Sequence, residues 1–285
     1  MIARQFSDAD VDVQVEFTNA RIGFFAQMNF CLNVAYYAEM TGRRVFITLS
    51  SANYRDPEHG PNWLHYFFEE LHSSRPRKNR DKRIRIRDCC QLPFNTDAFS
   101  LQSAHDLFFR HFAIRPDITA ALKYEAERMG VDDSTLGVHY RGTDKYLEAE
   151  RVARSTAIAK IRSLLQGDPS VGKVFVASED AIFVRMMHAE IATVPVVSLS
   201  DAVRSEDDSP VHLSGLRPGN RAMGRDALLN CLMLARCGRL VRTTSFLSAW
   251  SVIFNPAIRV SMLNQPRPEC LWFPETRILE EAALL

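Results

Sequence analysis

The sequence lacks the short glycine motifs that mark the commonest nucleotide-binding loops. It contains no Gly-x-Gly-x-x-Gly fingerprint and no Walker loop, which disfavours NAD binding and ordinary P-loop chemistry. It also lacks an excess of either charge, because 35 Lys and Arg residues stand against 34 Asp and Glu residues and the net charge is +1. That balance argues against a protein that binds nucleic acid over its whole surface.

Paired cysteines and long apolar runs are absent as well. The six cysteines include no Cys-x-x-Cys pair, so neither a zinc site nor a disulfide framework is expected. The longest apolar candidate, Phe24–Ala38, is interrupted by Gln27, Asn29 and Asn33, so no integral membrane segment is expected. Residues 1–12 lack the apolar core of a signal peptide. These absences predict a cytoplasmic protein with reduced, mostly buried thiols.

The composition that remains is that of an ordinary globular protein. The chain has 285 residues, 46% of them hydrophobic, and has room for one large domain or two of ordinary size. A chain of this length can bury a sizeable core. The polar run Asp132–Ser134 indicates a boundary between a domain over residues 1–131 and a domain over residues 132–285.

The first part predicts a βαβ unit followed by a less regular region. A strand over Val11–Phe17, a helix over Phe25–Met40 and a strand over Arg44–Thr48 follow one another. The aromatic segment Trp63–Leu71 is predicted to be helical. In the basic stretch Arg75–Arg87, alternating isoleucine and arginine predicts an edge strand with an exposed charged face. The alternative for this stretch is a rim that binds phosphate or another polyanion.

The second part alternates strands with helices in a regular order. Strands are predicted over Leu136–Arg141, Lys173–Ala177, Val194–Leu199, Arg239–Thr243 and Arg259–Leu263. The helices between them are predicted over Arg151–Gln166, Ala181–Glu190, Asp226–Cys237 and Ser245–Phe254. Such alternation, with right-handed crossovers, predicts an α/β fold with a mainly parallel, doubly wound sheet of the Rossmann type.

Polar side chains gather where three of these strands end. They are His139, Arg141, Asp144 and Lys145 after the first strand, Ser178 after the second, and Thr243, Thr244 and Ser245 after the fourth. Because the carboxyl ends of such strands face one crevice, we expect these residues to lie together. Two cations, with hydroxyls at a helix N-terminus, favour a phosphate or diphosphate ligand. The alternative is a solvated turn with a local salt bridge, in which Ser245 is a plain helix cap.

The run from His139 to Lys145 has the order His-Tyr-Arg-Gly-Thr-Asp-Lys. This order resembles the His-x-Arg-x-x-Asp motif of the fucosyltransferases that use GDP-fucose. It is most similar to the α1,6-fucosyltransferases, which include the bacterial nodulation enzyme, and more distantly similar to the α1,2- and protein O-fucosyltransferases. Two more segments resemble this superfamily, namely Gly23–Asn29 before a helix and Asp226–Ser245, a helix followed by a strand that ends in hydroxyl residues.

The resemblance implies a GT-B-like architecture, in which two Rossmann-like, doubly wound domains face a cleft. Residues 1–131 would hold the acceptor and residues 132–285 would bind the nucleotide sugar. The implied reaction is an inverting, metal-independent glycosyl transfer, with fucose moving from GDP-fucose to a hydroxyl and no cofactor. Fixed cations can stabilise the developing charge of a diphosphate leaving group in place of Mg²⁺.

The resemblance also implies roles for the residues at the strand ends. Arg141 becomes the main diphosphate clamp, with His139 beside it. Lys145 would assist in neutralising charge, and Asp144 would orient Arg141 or Lys145, the alternative being a purely structural salt bridge. The other donor-side residues would line the nucleotide pocket or hold phosphate: Ser178, Thr243, Thr244 and Ser245.

Two departures from the family pattern leave alternatives open. The family associates guanine recognition with an Asp in the later helix, where this sequence has Asn230 and places Asp226 one turn earlier. An Asn accepts one such hydrogen bond, so either Asp226 recognises the base or the base is not guanine. The catalytic base is also undecided. Glu148 and Glu150 follow the motif, but acidic residues there also suit the first turn of a helix.

The remaining alternatives concern the acceptor and the class of protein. Gln27 and Asn29 stand at a loop that approaches the donor in distant relatives, although helix-cap packing would explain them equally. The acceptor could be a glycan, a lipid-linked glycan, a protein or a small molecule. The competing interpretations are a transferase that uses another activated group, and a nucleotide- or sugar-binding protein of the same fold without turnover. A nucleic-acid patch in Arg75–Arg87 is disfavoured because aromatic residues do not interleave there.

Overall fold

In the computed structural model, the described residues form seven α-helices and ten β-strands. The structure describes residues 12–20, 22–71, 100–142, 149–200, 202, 204–206 and 219–267, and the backbone of residues 83–87. The helices are α1 Phe24–Thr41, α2 Leu101–His111, α3 Pro116–Met129, α4 Arg154–Gly167, α5 Ala181–Glu190, α6 Asn220–Arg236 and α7 Phe246–Phe254. The strands are β1 Asp12–Phe17, β2 Val45–Leu49, β3 Phe68–Glu70, β4 Arg83–Arg87, β5 Phe112–Ile114, β6 Thr135–Tyr140, β7 Lys173–Ser178, β8 Val196–Val197, β9 Arg239–Arg242 and β10 Arg259–Met262. No helix in these ranges is long and apolar enough to cross a membrane.

The first sheet contains three parallel strands in the order β2-β1-β4. Successive residues of a strand face opposite sides, and Val13, Val15 and Phe17 of β1 are buried on the same side. Helix α1 follows β1 and leads to β2, which confirms the predicted βαβ unit. Strand β4 lies at the edge of the sheet, as the alternation in the basic stretch predicts. Its register aligns Ile84 with Val13 and Ile86 with Val15.

The helix predicted over Trp63–Leu71 is wrong. Trp63–Tyr66 form a short 3₁₀ turn, and β3 follows and pairs antiparallel with β5. The cause lies in the apolar side chains, since Trp63, Leu64, Tyr66, Phe67 and Phe68 are all buried and a surface helix would bury only one face. Trp63 and Phe67 both pack against Phe24 of α1, with ring centroids 4.8 and 5.4 Å apart. A turn followed by a short strand can present these side chains in several directions.

The second sheet contains five parallel strands in the order β10-β9-β6-β7-β8. Leu136 and Val138 of β6 pack in one hydrophobic cluster with residues of α4 and α5. On the opposite face of β6, a Cβ added at Gly137 would lie 3.2 Å from side-chain atoms of Leu234 and Cys237, at the end of α6. Helices therefore cover both faces, which confirms the predicted doubly wound sheet. All of β6 is buried, as expected for a strand covered on both sides.

The larger hydrophobic cluster connects the elements before and after residue 131. It contains Phe25 and Phe108 from the first part and Trp250 from α7. The rings of Phe25 and Phe108 lie 6.0 and 5.4 Å from the ring of Trp250. Helices α1 and α2 thus pack directly against α7. The domain boundary between residues 131 and 132 stays a prediction.

Candidate active site

The strand order opens a crevice at the carboxyl ends of β6 and β9. From β6 the chain winds to β7 and then β8, and α6 carries it back to β9 on the other side of β6. Connections leave the sheet in opposite directions at this position, and doubly wound sheets bind ligands in the crevice that results. The loops after β6 and β9 flank this crevice, and the loop after β7 is next to them.

Hydrogen bonds join these three loops. The Arg141 N–H donates to Thr243 Oγ1 at 2.9 Å, and the Thr243 N–H donates to the carbonyl oxygen of His139 at 3.0 Å. Ser178 Oγ donates to the carbonyl oxygen of Tyr140 at 2.7 Å. The structure therefore brings His139, Arg141, Ser178 and Thr243 together at one edge of the sheet.

Ser245 stands at the N-terminus of α7 with a hydroxyl that no described residue hydrogen-bonds. The residue is fully buried, its backbone is extended, and among the described residues no group hydrogen-bonds its Oγ. Nor does any side chain in the described part of the chain cap α7. The first N–H groups of a helix carry partial positive charge and lack partners within the helix. Together with the Ser245 hydroxyl they are groups of the kind that bind an anion at a helix N-terminus.

Thr244 forms a hydrogen bond with Asn264, a residue that the sequence reasoning missed. The Thr244 N–H donates to Asn264 Oδ1 at 2.7 Å, and Asn264 Nδ2 donates to the carbonyl oxygen of Glu150 at 2.6 Å. Asn264 therefore connects the loop after β9 to the segment that precedes α4. It follows β10 at the same sheet edge, so extending the strand-end reasoning to the last strand would have found it. Thr243 and Thr244 thus connect loops, whereas no described residue hydrogen-bonds the Ser245 hydroxyl.

His139 is neutral in the folded protein and adds no positive charge. Burial, and then the charges of Arg242 and Arg141, lower the pKa of His139 to about 3. Its Nδ1 is buried and has no hydrogen-bond partner among the described residues. A neutral imidazole carries one donor and one acceptor, so His139 can offer a ligand a hydrogen bond but no charge. The positive charge of this site comes from its arginines.

One of those arginines, Arg242, begins the loop expected at the crevice, but no role is predicted for it because an arginine at the end of a strand is usually exposed. It is 0% exposed. Its Nε donates to Ser248 Oγ at 3.0 Å, and its Nη2 donates to the carbonyl oxygen of Ser245 at 3.4 Å. Burial lowers the pKa of Arg242 to about 9, so the side chain keeps its charge at neutral pH.

Asp226 and Asn230 lie one turn apart on α6 and are both half-buried. Asn230 Nδ2 donates to the carbonyl oxygen of Asp226 at 2.9 Å, so Asn230 can offer a ligand its Oδ1 as an acceptor and its second amide N–H as a donor. Helix α6 contacts the first turn of α7, where Cys231 Sγ donates to the carbonyl oxygen of Leu247 at 3.2 Å. Base recognition by Asp226 or Asn230 stays a prediction.

The other predicted residues either make no side-chain hydrogen bond to these loops in the described part of the chain or lie outside it. Gln27 is buried in α1, and its Nε2 donates to the Ile22 carbonyl at 2.8 Å and to Ser51 Oγ at 3.1 Å. No hydrogen bond of the described residues joins Gln27 or Asn29 to the loops of the second sheet. The side chain of Glu150 is exposed. The residues outside the described ranges are Asp144, Lys145 and Glu148.

Comparison with known proteins adds evidence on the fold. No protein-family model matches the chain, and no curated protein sequence is significantly similar to it. Solved structures do match. NodZ α1,6-fucosyltransferase soaked with GDP-fucose gives a TM-score of 0.60 at 18% identity, over 87% of this chain and 94% of that one. The chain shares its overall fold with this fucosyltransferase.

Two further structures support this fucosyltransferase fold. Fucosyltransferase NodZ from Bradyrhizobium gives a TM-score of 0.59 at 18% identity, over 90% of this chain and 99% of that one. A substituted variant of FUT1 from Arabidopsis thaliana in complex with GDP gives 0.53 at 12% identity, over 94% of this chain and 74% of that one. The matches cover both sheets, so the fucosyltransferase fold includes the first part of the chain as well as the second.

Proposed function

We propose that the chain is a glycosyltransferase that moves fucose from GDP-fucose to a hydroxyl acceptor, with inversion at the sugar carbon and without a metal ion. The observation that carries the proposal is the N-terminus of α7, where no described residue hydrogen-bonds the Ser245 hydroxyl, in a loop that Thr243 Oγ1 joins to the Arg141 N–H and next to a neutral His139. This site lies in a fucosyltransferase fold, and NodZ of that fold was soaked with GDP-fucose.

The chemistry requires stabilisation of a leaving diphosphate. Negative charge develops on the β-phosphate as its bond to the sugar breaks, and fixed donors aimed at that charge lower the barrier. Arg141 offers a planar fork of N–H donors that suits a phosphate. Ser245 Oγ and the first N–H groups of α7 hold the same phosphate, and His139 adds a hydrogen bond. Lys145 supplies a second cation, and Asp144 orients Arg141 or Lys145.

The acceptor hydroxyl must lose a proton as it attacks the sugar. Glu150 and Glu148 are the proposed bases, and the exposed side chain of Glu150 is open to an acceptor. The acceptor is a glycan, a lipid-linked glycan, a protein or a small molecule. It is held by residues 1–131 on the other side of a GT-B-like cleft between the two sheets, with Gln27 and Asn29 on that side.

The base of the donor is recognised by α6 in this proposal. Asn230 Nδ2 uses one of its two N–H groups on the Asp226 carbonyl, Asn230 Oδ1 supplies an acceptor, and Asp226 supplies a carboxylate one turn away. Guanine presents two adjacent donors, N1–H and its exocyclic amine, whereas adenine presents an amine beside an acceptor. Two acceptors therefore favour guanine, in agreement with a GDP-linked donor.

The direct test is incubation of the protein with GDP-fucose and a set of hydroxyl acceptors, with release of GDP and transfer of fucose followed together. We expect GDP release that depends on the acceptor and is lost in Arg141→Ala. Tight GDP binding without any release from GDP-fucose would instead show a nucleotide-binding protein without turnover. Turnover of a different nucleotide sugar would show a glycosyltransferase whose donor is not GDP-fucose.

A further inference from the structure

Arg242 lies beneath the candidate donor site and does not reach the protein surface. The parallel register of β6 and β9 pairs Arg242 with His139, so both side chains leave the same face of the sheet. That face is covered by α6 and α7, and Arg242 is 0% exposed. Its guanidinium therefore lies between the sheet and the helix whose N-terminus forms the anion site.

Hydrogen bonds fix the guanidinium to the start of α7. Its Nε donates to Ser248 Oγ, in the first turn of α7, and its Nη2 donates to the carbonyl oxygen of Ser245. Ser248 Oγ in turn donates to the carbonyl oxygen of Thr243 at 3.1 Å. Arg242 thus connects the end of β9, the hydroxyl loop and the first turn of α7, and the loop depends on this connection for its shape.

The charge of Arg242 also reaches the site. A charge acts more strongly in a water-excluded interior than at a surface, because less solvent screens it. Its effect is seen at His139, where burial is the largest cause of the lowered pKa and the charge of Arg242 is the second. A field that disfavours a proton on His139 favours an anion at Ser245, since the two groups lie at the ends of paired strands.

We propose that Arg242 is a positioning residue for the donor diphosphate, which it attracts through its buried charge and through the shape of the Thr243–Ser245 loop without touching it. The inference rests on the proposed function, because it assumes that a nucleoside diphosphate is the ligand. Arg141 contacts the diphosphate directly, whereas Arg242 acts from the protein interior, through its charge and its hydrogen bonds to Ser245 and Ser248.

The test compares two substitutions that separate charge from shape. Arg242→Gln keeps a donor for Ser248 and loses the charge, and Arg242→Lys keeps the charge. Arg239→Gln is the matched control, because Arg239 starts the same strand, pairs with Asp168 and is partly exposed. GDP and guanosine binding are measured for each protein by calorimetry and by ligand-observed NMR.

We expect Arg242→Gln to weaken GDP binding by about tenfold, the loss of one buried attraction, and Arg242→Lys to stay within about threefold of the wild type. Guanosine binding should be unchanged in both, since guanosine has no phosphate. Arg239→Gln should bind GDP as the wild type does. Wild-type GDP affinity in Arg242→Gln overturns the inference, and so does an equal loss of GDP and guanosine binding.

A second variant covers the case in which Arg242→Gln does not fold. Ser248→Ala removes the hydroxyl that holds the guanidinium, and we expect it to weaken GDP binding a few-fold with guanosine binding unchanged. Full GDP affinity in Ser248→Ala would overturn the positioning role. A wild-type protein that binds no nucleotide would overturn the proposed function and the inference together, whereas wild-type binding with an unaffected Arg242→Gln overturns the inference alone.

Discussion

Single residues at the ends of β6 and β9 perform two different tasks. Thr243 and Thr244 form hydrogen bonds with neighbouring loops. Ser245 and His139 keep buried polar atoms that no described group satisfies. An unsatisfied buried polar atom costs about 1–3 kcal/mol, so such atoms call for an explanation such as a ligand that completes them. These two residues are therefore where we expect a ligand to be held.

His139 should reduce the stability of the folded protein as the pH falls. Its pKa is about 3 in the folded state and about 6.5 in the unfolded state. The unfolded state therefore binds more protons between these values, and the stability is complete above pH 6.5 and is lost as the pH falls toward 3. Denaturant unfolding of the wild type and of His139→Asn at pH 7 and pH 5 measures this effect. The decrease between the two pH values should be about 2 kcal/mol smaller in His139→Asn.

Equal pH dependence of stability in the wild type and His139→Asn would contradict a neutral, buried His139. An NMR titration gives an independent control, because the ring nitrogens of His139 should show no protonation between pH 5 and pH 8.

Asp226 and Asn230 should determine which nucleotide base is preferred. Asp226→Ala removes one acceptor and should weaken GDP binding by about tenfold, the usual effect of one lost hydrogen bond to a charged group, with less effect on UDP. Asn230→Asp supplies a carboxylate and should keep or increase the preference for GDP. Asp117→Ala, an exposed residue of α3, is the control. Unchanged base preference in both variants would place these residues outside the pocket.

At the scale of elements, α6 packs against both parts of the chain. A Cβ added at Gly224 would lie 2.8 Å from Phe67 Cζ and 3.4 Å from Phe24 Cε2. Both phenylalanines are buried, so neither ring can move aside without disturbing the aromatic cluster. The close approach of α6 to the first part of the chain therefore depends on a glycine at this position.

Gly224→Ala should lower the free energy of unfolding by about 1–2 kcal/mol, because overpacking costs more than the gain in helix propensity. Gly167→Ala at the end of α4 is the matched control, since a Cβ there meets nothing within 4 Å. That control should be neutral or stabilising by up to about 1 kcal/mol. Denaturant unfolding of the two variants measures the difference, and equal stability would contradict the packing of α6 on Phe67.

The elements of the second sheet could be predicted because their apolar runs and polar loops alternate regularly. Strands β6, β7 and β9 and helix α5 begin and end within about one or two residues of their expected bounds. Helix α6 begins six residues earlier than Asp226, at Asn220. Gly224 is a poor helix former, and only its packing against Phe67 explains its place in a helix. The prediction of a helix over Trp63–Leu71 is wrong for a related reason, because tertiary packing determines the local structure of that segment.

The candidate site could be predicted only in outline. The order of strands and helices was enough to bring together the loops that contain Arg141, Ser178 and Thr243. The buried charge of Arg242, the neutral state of His139 and the contact of Asn264 depend on register and burial. Register and burial are set by packing between elements, and the pattern of a single sequence does not predict them.

At the scale of the whole molecule, the shared hydrophobic cluster should make the two parts of the chain unfold together. Trp63 lies in the first part and Trp250 in the second, and both are 0% exposed. Comparing the fluorescence of the wild type with that of Trp63→Phe and Trp250→Phe assigns the signal of each site. We expect both sites to report the same midpoint in denaturant, because breaking the contacts of α7 with α1 and α2 exposes both. Two separate midpoints would show that the parts fold independently.

The central claim is that the crevice between β6 and β9 binds a guanine nucleoside diphosphate through Arg141. Titration calorimetry with GDP, UDP, ADP and CMP, without added metal, tests it most directly on the wild type, on Arg141→Ala and on the exposed control Arg162→Ala. We predict selective binding of GDP by the wild type and the control, and a loss of about 10–100-fold in Arg141→Ala, whose melting temperature should stay close to that of the wild type. Binding of no nucleotide, or equal GDP affinity in Arg141→Ala and the wild type, would contradict the claim.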